Sequence, residues 1–238
     1  YLFDIKEVTE DYTVFDYQKD CRNVLDQLLK QEKTPILVGG TGLYIKASLY
    51  NYQFTEGKIS CQYENLSNEE LYQKLISVDP NTEIHKNNRK RVIRAYNYYL
   101  ETGIPFSKKE KSEHLLYPVI FIGLTTEREK LYERINQRVD QMIDSGLLEE
   151  AENIYNSKIR TKAILTPIGY KELFPYFEGS KTLDICLDEI KKNSRHYAKR
   201  QFTWFHNSMN VNWFTVDFEC FDKTIDEVYQ FILQQKKK

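Results

Sequence analysis

The sequence predicts an α/β fold on a parallel sheet, interrupted by a helical excursion. Two observations carry this. Residues 16–46 run as helix, polar connector, short apolar strand, glycine turn and helix start, the order of a parallel α/β domain. After a polar and helical stretch over 52–114, the same grammar returns at the apolar run 118–124, which a further helix follows.

The first helix is predicted over Asp16 to Lys30, where Tyr17, Cys21, Val24, Leu25, Leu28 and Leu29 recur at helical spacing. Gln31-Glu32-Lys33-Thr34 is a polar connector and Pro35 opens a strand. Ile36-Leu37-Val38 is β-rich and too short for a helix. Gly39, Gly40 and Gly42 allow positive φ and close approach to a ligand. A strand that ends in glycines and opens a helix aims free N–H groups above the sheet edge. Such a turn holds a phosphate or a polar nucleotide edge, or it is a plain strand–helix connection.

Residues 51–65 are polar and irregular. Ser67-Asn68-Glu69-Glu70 forms a capping box for a helix through Leu71, Leu75 and Ile76, which Asp79-Pro80 breaks. A second helix runs from Asn88 to Glu101 and stops near Gly103 and Pro105, before a charged loop over Lys108–Glu113. Thr126-Glu127-Arg128-Glu129 caps a helix carrying Leu131, Ile135, Val139, Met142 and Ile143. Further helices are predicted over 147–155, from about Ile168 to Gly179, over 183–205 and over 222–235, with a last strand at Val211–Phe214. The expected domains are an α/β core of residues 1–51 and 115–238 and an inserted helical domain of 52–114.

With 238 residues, 41% of them hydrophobic, the chain can bury a core. A net charge of −1 excludes a uniformly basic nucleic-acid binder, so any polyanion site must come from local clustering. No apolar run is long enough for a membrane helix, and no secretory leader is visible. Cys21, Cys61, Cys186 and Cys220 are scattered, which suits a reducing cytoplasm better than a disulfide framework. His85, His114, His196 and His206 have no metal-ligand spacing.

Three clusters could carry chemistry. Arg138 falls among Leu131, Ile135 and Met142 on a predicted core-facing stripe, where a guanidinium needs a carboxylate partner or an anionic ligand such as phosphate. Arg89, Lys90, Arg91 and Arg94 are followed by no acid until Glu101, as a solvated face or a phosphate-backbone contact. In the 183–205 helix Lys192, Arg195 and Lys199 share a face, while Ile190, Tyr197, Trp204 and Phe205 lean to the other. Basic residues interleaved with aromatics suit RNA, and aromatics at this spacing also suit a core. These residues alone name no reaction.

The motifs taken together resemble the tRNA dimethylallyltransferase family, also called tRNA isopentenyltransferases. The resemblance rests on Pro35 to Tyr44, Asp79-Pro80, Ile84-His85 through Arg94-Ala95, Arg134 to Met142, Gly146-Leu147, Ile168 to Glu172 and Ala198 to Phe205, in that order. It implies a P-loop NTPase-like core with an inserted helical domain. It implies transfer of a dimethylallyl group from dimethylallyl diphosphate to N6 of the adenine 3′ of the anticodon, with Mg2+ assisting and the base flipped out. The position matching Arg138 meets charge developing on diphosphate, and the position matching Thr41 lies beside the target adenine. The matching tRNA contacts are Lys90, Arg91, Arg94, Gly169, Tyr170, Lys171, Arg195, Lys199, Arg200 and Gln201. The implied partners are a tRNA anticodon stem-loop and dimethylallyl diphosphate, for a cytoplasmic monomer away from membranes.

The chain departs from the family in one large respect. The family's G-x-T-x-x-G-K-T phosphate loop and the general-base aspartate of its D-S-x-Q segment occur nowhere in it. Gly39–Gly42 is followed by Leu43-Tyr44, with no Lys-Ser/Thr to hold phosphate and magnesium. The chain starts at Tyr1, so the true N-terminus is expected upstream, and these residues alone are expected to be inactive. Asp79 to His85 is also slightly short for the family. The alternatives are an adenylate isopentenyltransferase acting on free nucleotide and a non-catalytic RNA-binding fragment.

Overall fold

The computed structural model describes residues 1–54, 63, 65–109 and 114–236. Most of the irregular 51–65 stretch, Cys61, the end of the 108–113 loop and the last two lysines lie outside the described residues. In chain order the elements are α1 (Val14–Lys30), α2 (Gly42–Leu49), α3 (Asn68–Val78), α4 (Arg89–Thr102), β1 (Ile122–Thr125), α5 (Arg128–Asp144), α6 (Leu147–Asn156), α7 (Lys162–Leu165), α8 (Tyr170–Phe177), α9 (Leu183–Ser208), β2 (Asn212–Thr215) and α10 (Phe221–Gln235). They form two compact units, Tyr1–Ser48 with Tyr117–Lys238, and Leu49–Leu116.

In the first unit, α1 starts two residues earlier than the apolar spacing predicts. Thr13 and Asp16 make a capping box, in which the Thr13 N–H donates to the Asp16 carboxylate at 2.8 Å. Further along the same face, Gln18 and Arg22 donate to the Ala47 carbonyl at 2.7 and 2.9 Å, and Arg22 also reaches the Ser48 carbonyl. These are the last-turn carbonyls of α2, which a helix leaves without internal partners. The core of the unit lies among helices: Val139 of α5, Leu147 and Ala151 of α6, Leu173 of α8, and Cys186 and Ile190 of α9.

The sheet is smaller than the sequence predicts. Among the described residues it is one parallel pair, with Ile122 opposite Asn212 and Thr125 opposite Thr215. The fold is therefore mixed and helix-rich, with a small parallel sheet. The strand expected at Ile36–Val38 is not formed. Ile36 and Val38 are 86% and 88% exposed, while Pro35 and Leu37 are half-buried, so the period of two persists without a backbone partner among the described residues. The strand expected from Pro118 begins only at Ile122, because pairing starts where the Asn212 N–H donates to the Phe121 carbonyl.

Arg138 is a second correction. It is exposed, and the buried residue of α5 is its neighbour Val139. At about 100° per residue, a stripe centred on Val139 takes in Ile135 and Ile143 and leaves Arg138 on the rim.

The second unit packs α3 against α4 over Tyr63, Leu71, Leu75, Ile84, Val92, Ile93 and Ala95. Ser67 and Glu70 form the expected capping box, and the Ser67 backbone N–H holds the Glu70 carboxyl below its usual range. Helix α4 ends at Gly103, whose φ of 69° is left-handed. Asp79 does more than stop α3. It is 1% exposed, and its carboxylate accepts the Ser107 N–H at 2.8 Å and the Ser107 hydroxyl. Asp79→Ala removes two hydrogen bonds to a buried carboxylate, and a bond to a charged group contributes about 1.5–3 kcal/mol. Urea unfolding followed by circular dichroism should show an earlier transition, and an unchanged one would refute this role.

Candidate functional site

The glycine turn of the first unit is seated on α9. The Gly40 carbonyl accepts the Gln201 side-chain N–H at 2.9 Å, and the Thr41 hydroxyl lies 3.4 Å from the Tyr197 hydroxyl. A Cβ on Gly42 would lie 1.9 Å from the Trp204 ring, so glycine is required there for close approach. Tyr197, Gln201 and Trp204 follow at helical spacings of four and three and present one face to the turn. Thr41 itself is exposed at the start of α2, its carbonyl accepting from Tyr44 and Ile45.

Farther back along α9, Arg195 donates to the Asn136 side chain of α5 at 2.6 Å, and Lys191 pairs with Asp140 at 2.6 Å. The pairs descend α5 as they climb α9, so the two helices run antiparallel. Arg138 falls between those two partners in sequence but about 160° around α5 from each, and no carboxylate pairs with it among the described residues. Lys199 and Arg200 are exposed, with the Arg200 guanidinium 5.8 Å from the Tyr197 ring centre. Beyond the turn, Phe202, His206 and Trp213 stack, with His206 4.5 Å from Trp213.

A third part of the site opens α8. Gly169 adopts a φ of 136°, and its N–H donates to the Glu172 carboxylate at 2.9 Å. The Tyr170 hydroxyl donates to Glu150 of α6 at 2.6 Å. That bond, helped by burial, pushes the phenol up to about 12. In the second unit, Lys90, Arg91 and Arg94 are exposed on α4. Lys109 rests on the Tyr98 ring at 4.8 Å, and burial, with repulsion from Arg94, lowers its ammonium below the usual value.

Two open surface depressions lie away from these residues. One of about 690 Å³ lies between β2 and α10, lined by Phe214, Cys220 and Phe231 among others, and one of about 460 Å³ lies beside Asp217 and Phe218. Among the described residues no three His, Cys, Asp or Glu side chains converge as a metal site. The donor set described here therefore does not fit a protein-built Mg2+ cage. Among the described residues no helix is long and apolar enough to cross a membrane.

A family model described as IPP transferase matches residues 1–208. The chain belongs to this family. It is 46% identical over 241 residues to a tRNA dimethylallyltransferase of Anoxybacillus flavithermus, covering 98% of this chain and 78% of that one. The similar protein of Geobacillus kaustophilus is 43% identical with the same coverage. A solved tRNA isopentenylpyrophosphate transferase of Bacillus halodurans superposes with a TM-score of 0.71 at 38% identity, over 98% of this chain and 77% of that one. A eukaryotic dimethylallyltransferase, in a structure described as acting on tRNA, gives 0.79 at 25% identity, over 94% and 62% of the two chains.

Within this member of the IPP transferase family, the fold gathers Thr41 and Gln201 at the turn. Arg195 reaches from α9 to Asn136 of α5, Lys199 and Arg200 face solvent, and Gly169, Tyr170 and Lys171 open α8. Lys90, Arg91 and Arg94 belong to the other unit. Sequence reasoning missed Tyr197 as the neighbour of Thr41, Asn136 as the partner of Arg195, and the burial of Glu172 between Gly169 and Asn193. Gly42 alone carried a usable signal, since glycine at a helix start points to close approach.

Gly42→Ala drives its Cβ into the Trp204 ring, an overpacking that costs about 1–3 kcal/mol. The measurement is the thermal midpoint together with tryptophan emission, and a red shift with lowered stability is the expected result. Tyr170 gives an alkaline test. Its folded value of about 12 exceeds the unfolded value of about 10, so its contribution is complete below pH ~10 and lost as pH rises through about 12. Between those limits the wild-type midpoint should fall more than that of Tyr170→Phe, and parallel curves would sink the assignment.

Proposed function

We propose that the chain acts in transfer of a dimethylallyl group from dimethylallyl diphosphate to N6 of the adenine 3′ of the anticodon in tRNA. The observation that carries this is the exposed Thr41 hydroxyl on a turn pinned to α9, the helix that also bears Lys199 and Arg200. A rigid polar edge suits a flipped base, and flanking cations suit the RNA backbone. In the reaction N6 attacks the allylic carbon, the carbon–oxygen bond breaks, diphosphate leaves with the electron pair and N6 gives up a proton. Negative charge grows on the leaving group, and a positioned cation stabilises it.

Arg138 is our candidate for that cation. Its exposure and its lack of a carboxylate partner among the described residues leave its fork open to phosphate oxygens. Thr41 orients the adenine, and Lys90, Arg91, Arg94, Lys171, Arg195, Lys199, Arg200 and Gln201 hold the tRNA, with Gly169 and Tyr170 shaping the segment beside them. The architecture we propose around β1 and β2 is a P-loop-type core, and the setting is a cytoplasmic monomer. Mg2+ would neutralise diphosphate, but no step is assigned to it on these residues. The adenylate-specific alternative is disfavoured by the exposed basic face of α4, which a free nucleotide does not need.

The test uses labelled dimethylallyl diphosphate and an anticodon stem-loop. With a P-loop and D-S-x-Q segment supplied upstream, label should enter the RNA, and Arg138→Ala should cut the rate by about 100-fold or more. An unaltered rate would remove Arg138 from the chemistry. Thr41→Ala should raise KM for RNA more than KM for the diphosphate. Salt-dependent RNA binding without any transfer, under the same conditions, would instead establish the RNA-binding reading, and stronger competition by AMP than by the stem-loop would establish the free-nucleotide one.

A further inference from the structure

Glu172 is a buried carboxylate that neither the basic clusters nor the glycine turn explains. It is 6% exposed, and both of its oxygens are engaged. Oε2 accepts the Gly169 N–H at 2.9 Å. Oε1 accepts the Asn193 side-chain N–H of α9 at 3.1 Å and lies 3.9 Å from the Lys171 ammonium. Capping α8 needs only the first of these contacts. Glu70 performs the same capping on α3 while exposed, so burial is not a requirement of the cap. A carboxylate taken out of water demands full hydrogen bonding, and here the extra bond ties α8 to a second helix.

The segment so tied is unusual. Gly169 has a φ of 136°, closed to side chains on backbone grounds, although an added Cβ would meet nothing nearer than Leu147 at 4.0 Å. Its neighbour Tyr170 is held from the other side by Glu150 at 2.6 Å.

We propose that Glu172 is a positioning residue for RNA recognition. Through Gly169 and Asn193 it locks the Gly169–Lys171 segment to α9, so that Lys171 meets the RNA backbone from a fixed position. The inference rests on the tRNA reading above. Ordering this cation before encounter removes an entropic penalty from binding.

The experiment is fluorescence anisotropy of a labelled anticodon stem-loop with the chain, across a salt series, using Glu172→Ala, Asn193→Ala, the double variant and Glu172→Gln. Glu172→Ala should weaken binding about tenfold. It should also reduce the slope of log affinity against log salt by about 0.7, one phosphate contact, as Lys171 loses its place. The double variant should be no weaker than Glu172→Ala, since both break one link. Glu172→Gln should recover binding to within about threefold, because its carbonyl still accepts from Gly169 while Asn193 can turn its own oxygen to the amide. A purely structural role predicts lower thermal stability with unchanged slope in the folded variants. A folded Glu172→Ala with wild-type affinity overturns the proposal. If that variant fails to fold, wild-type affinity and slope in Asn193→Ala overturn it instead. An unsubstituted chain that does not bind the stem-loop overturns the tRNA reading itself, which is a distinct result.

Discussion

Trp204 occupies the space where a side chain on Gly42 would stand, and the arrangement of the candidate site follows from that contact. Because the indole lies against the start of α2, the turn can approach α9 closely enough for Gln201 to hold the Gly40 carbonyl. Thr41 is thereby left facing outward beside Tyr197. A methyl group would have to displace an aromatic ring wedged between two helices. Close packing makes such a seat a definite position rather than a range of positions.

Helix α9 extends that logic through the first unit. Its early residues Cys186 and Ile190 enter the helical core. Asn193 and Arg195 then reach α8 and α5 through hydrogen bonds, and Gln201 and Trp204 carry the glycine turn. One rigid element thus sets the spacing of side chains that are far apart in sequence. The buried polar contacts among them are directional, so they specify geometry where apolar packing mainly supplies stability.

Helix boundaries were the most legible part of the fold. Ser67 with Glu70, Gly103 after α4 and the spacing of Val139 with Ile143 are local signals, and each lies where its own chemistry requires. Strands were less legible. Ile36-Leu37-Val38 has strand composition and alternation, but a strand is defined by the neighbour that pairs with it. Arg138 shows the same limit on a helix. Its spacing to Leu131 and Met142 is correct, yet the partner helices bury the face centred on Val139, and a shift of one residue moves a guanidinium from core to solvent.

The sequence by itself determined the family, the helices and the residue types that any phosphate or RNA contact must use, because motifs, caps and periodicity are local properties of the chain. It also marked Gly39–Gly42 as a special turn. Only the tertiary structure decided that Thr41 would stand beside Tyr197, that Arg195 would be held by Asn136, and that Glu172 would be buried between Gly169 and Asn193. Apart from the local Gly169–Glu172 bond, those pairings join residues 21 to 156 positions apart. No periodicity reaches that far, and they exist only once the helices have packed and their buried polar groups have found partners.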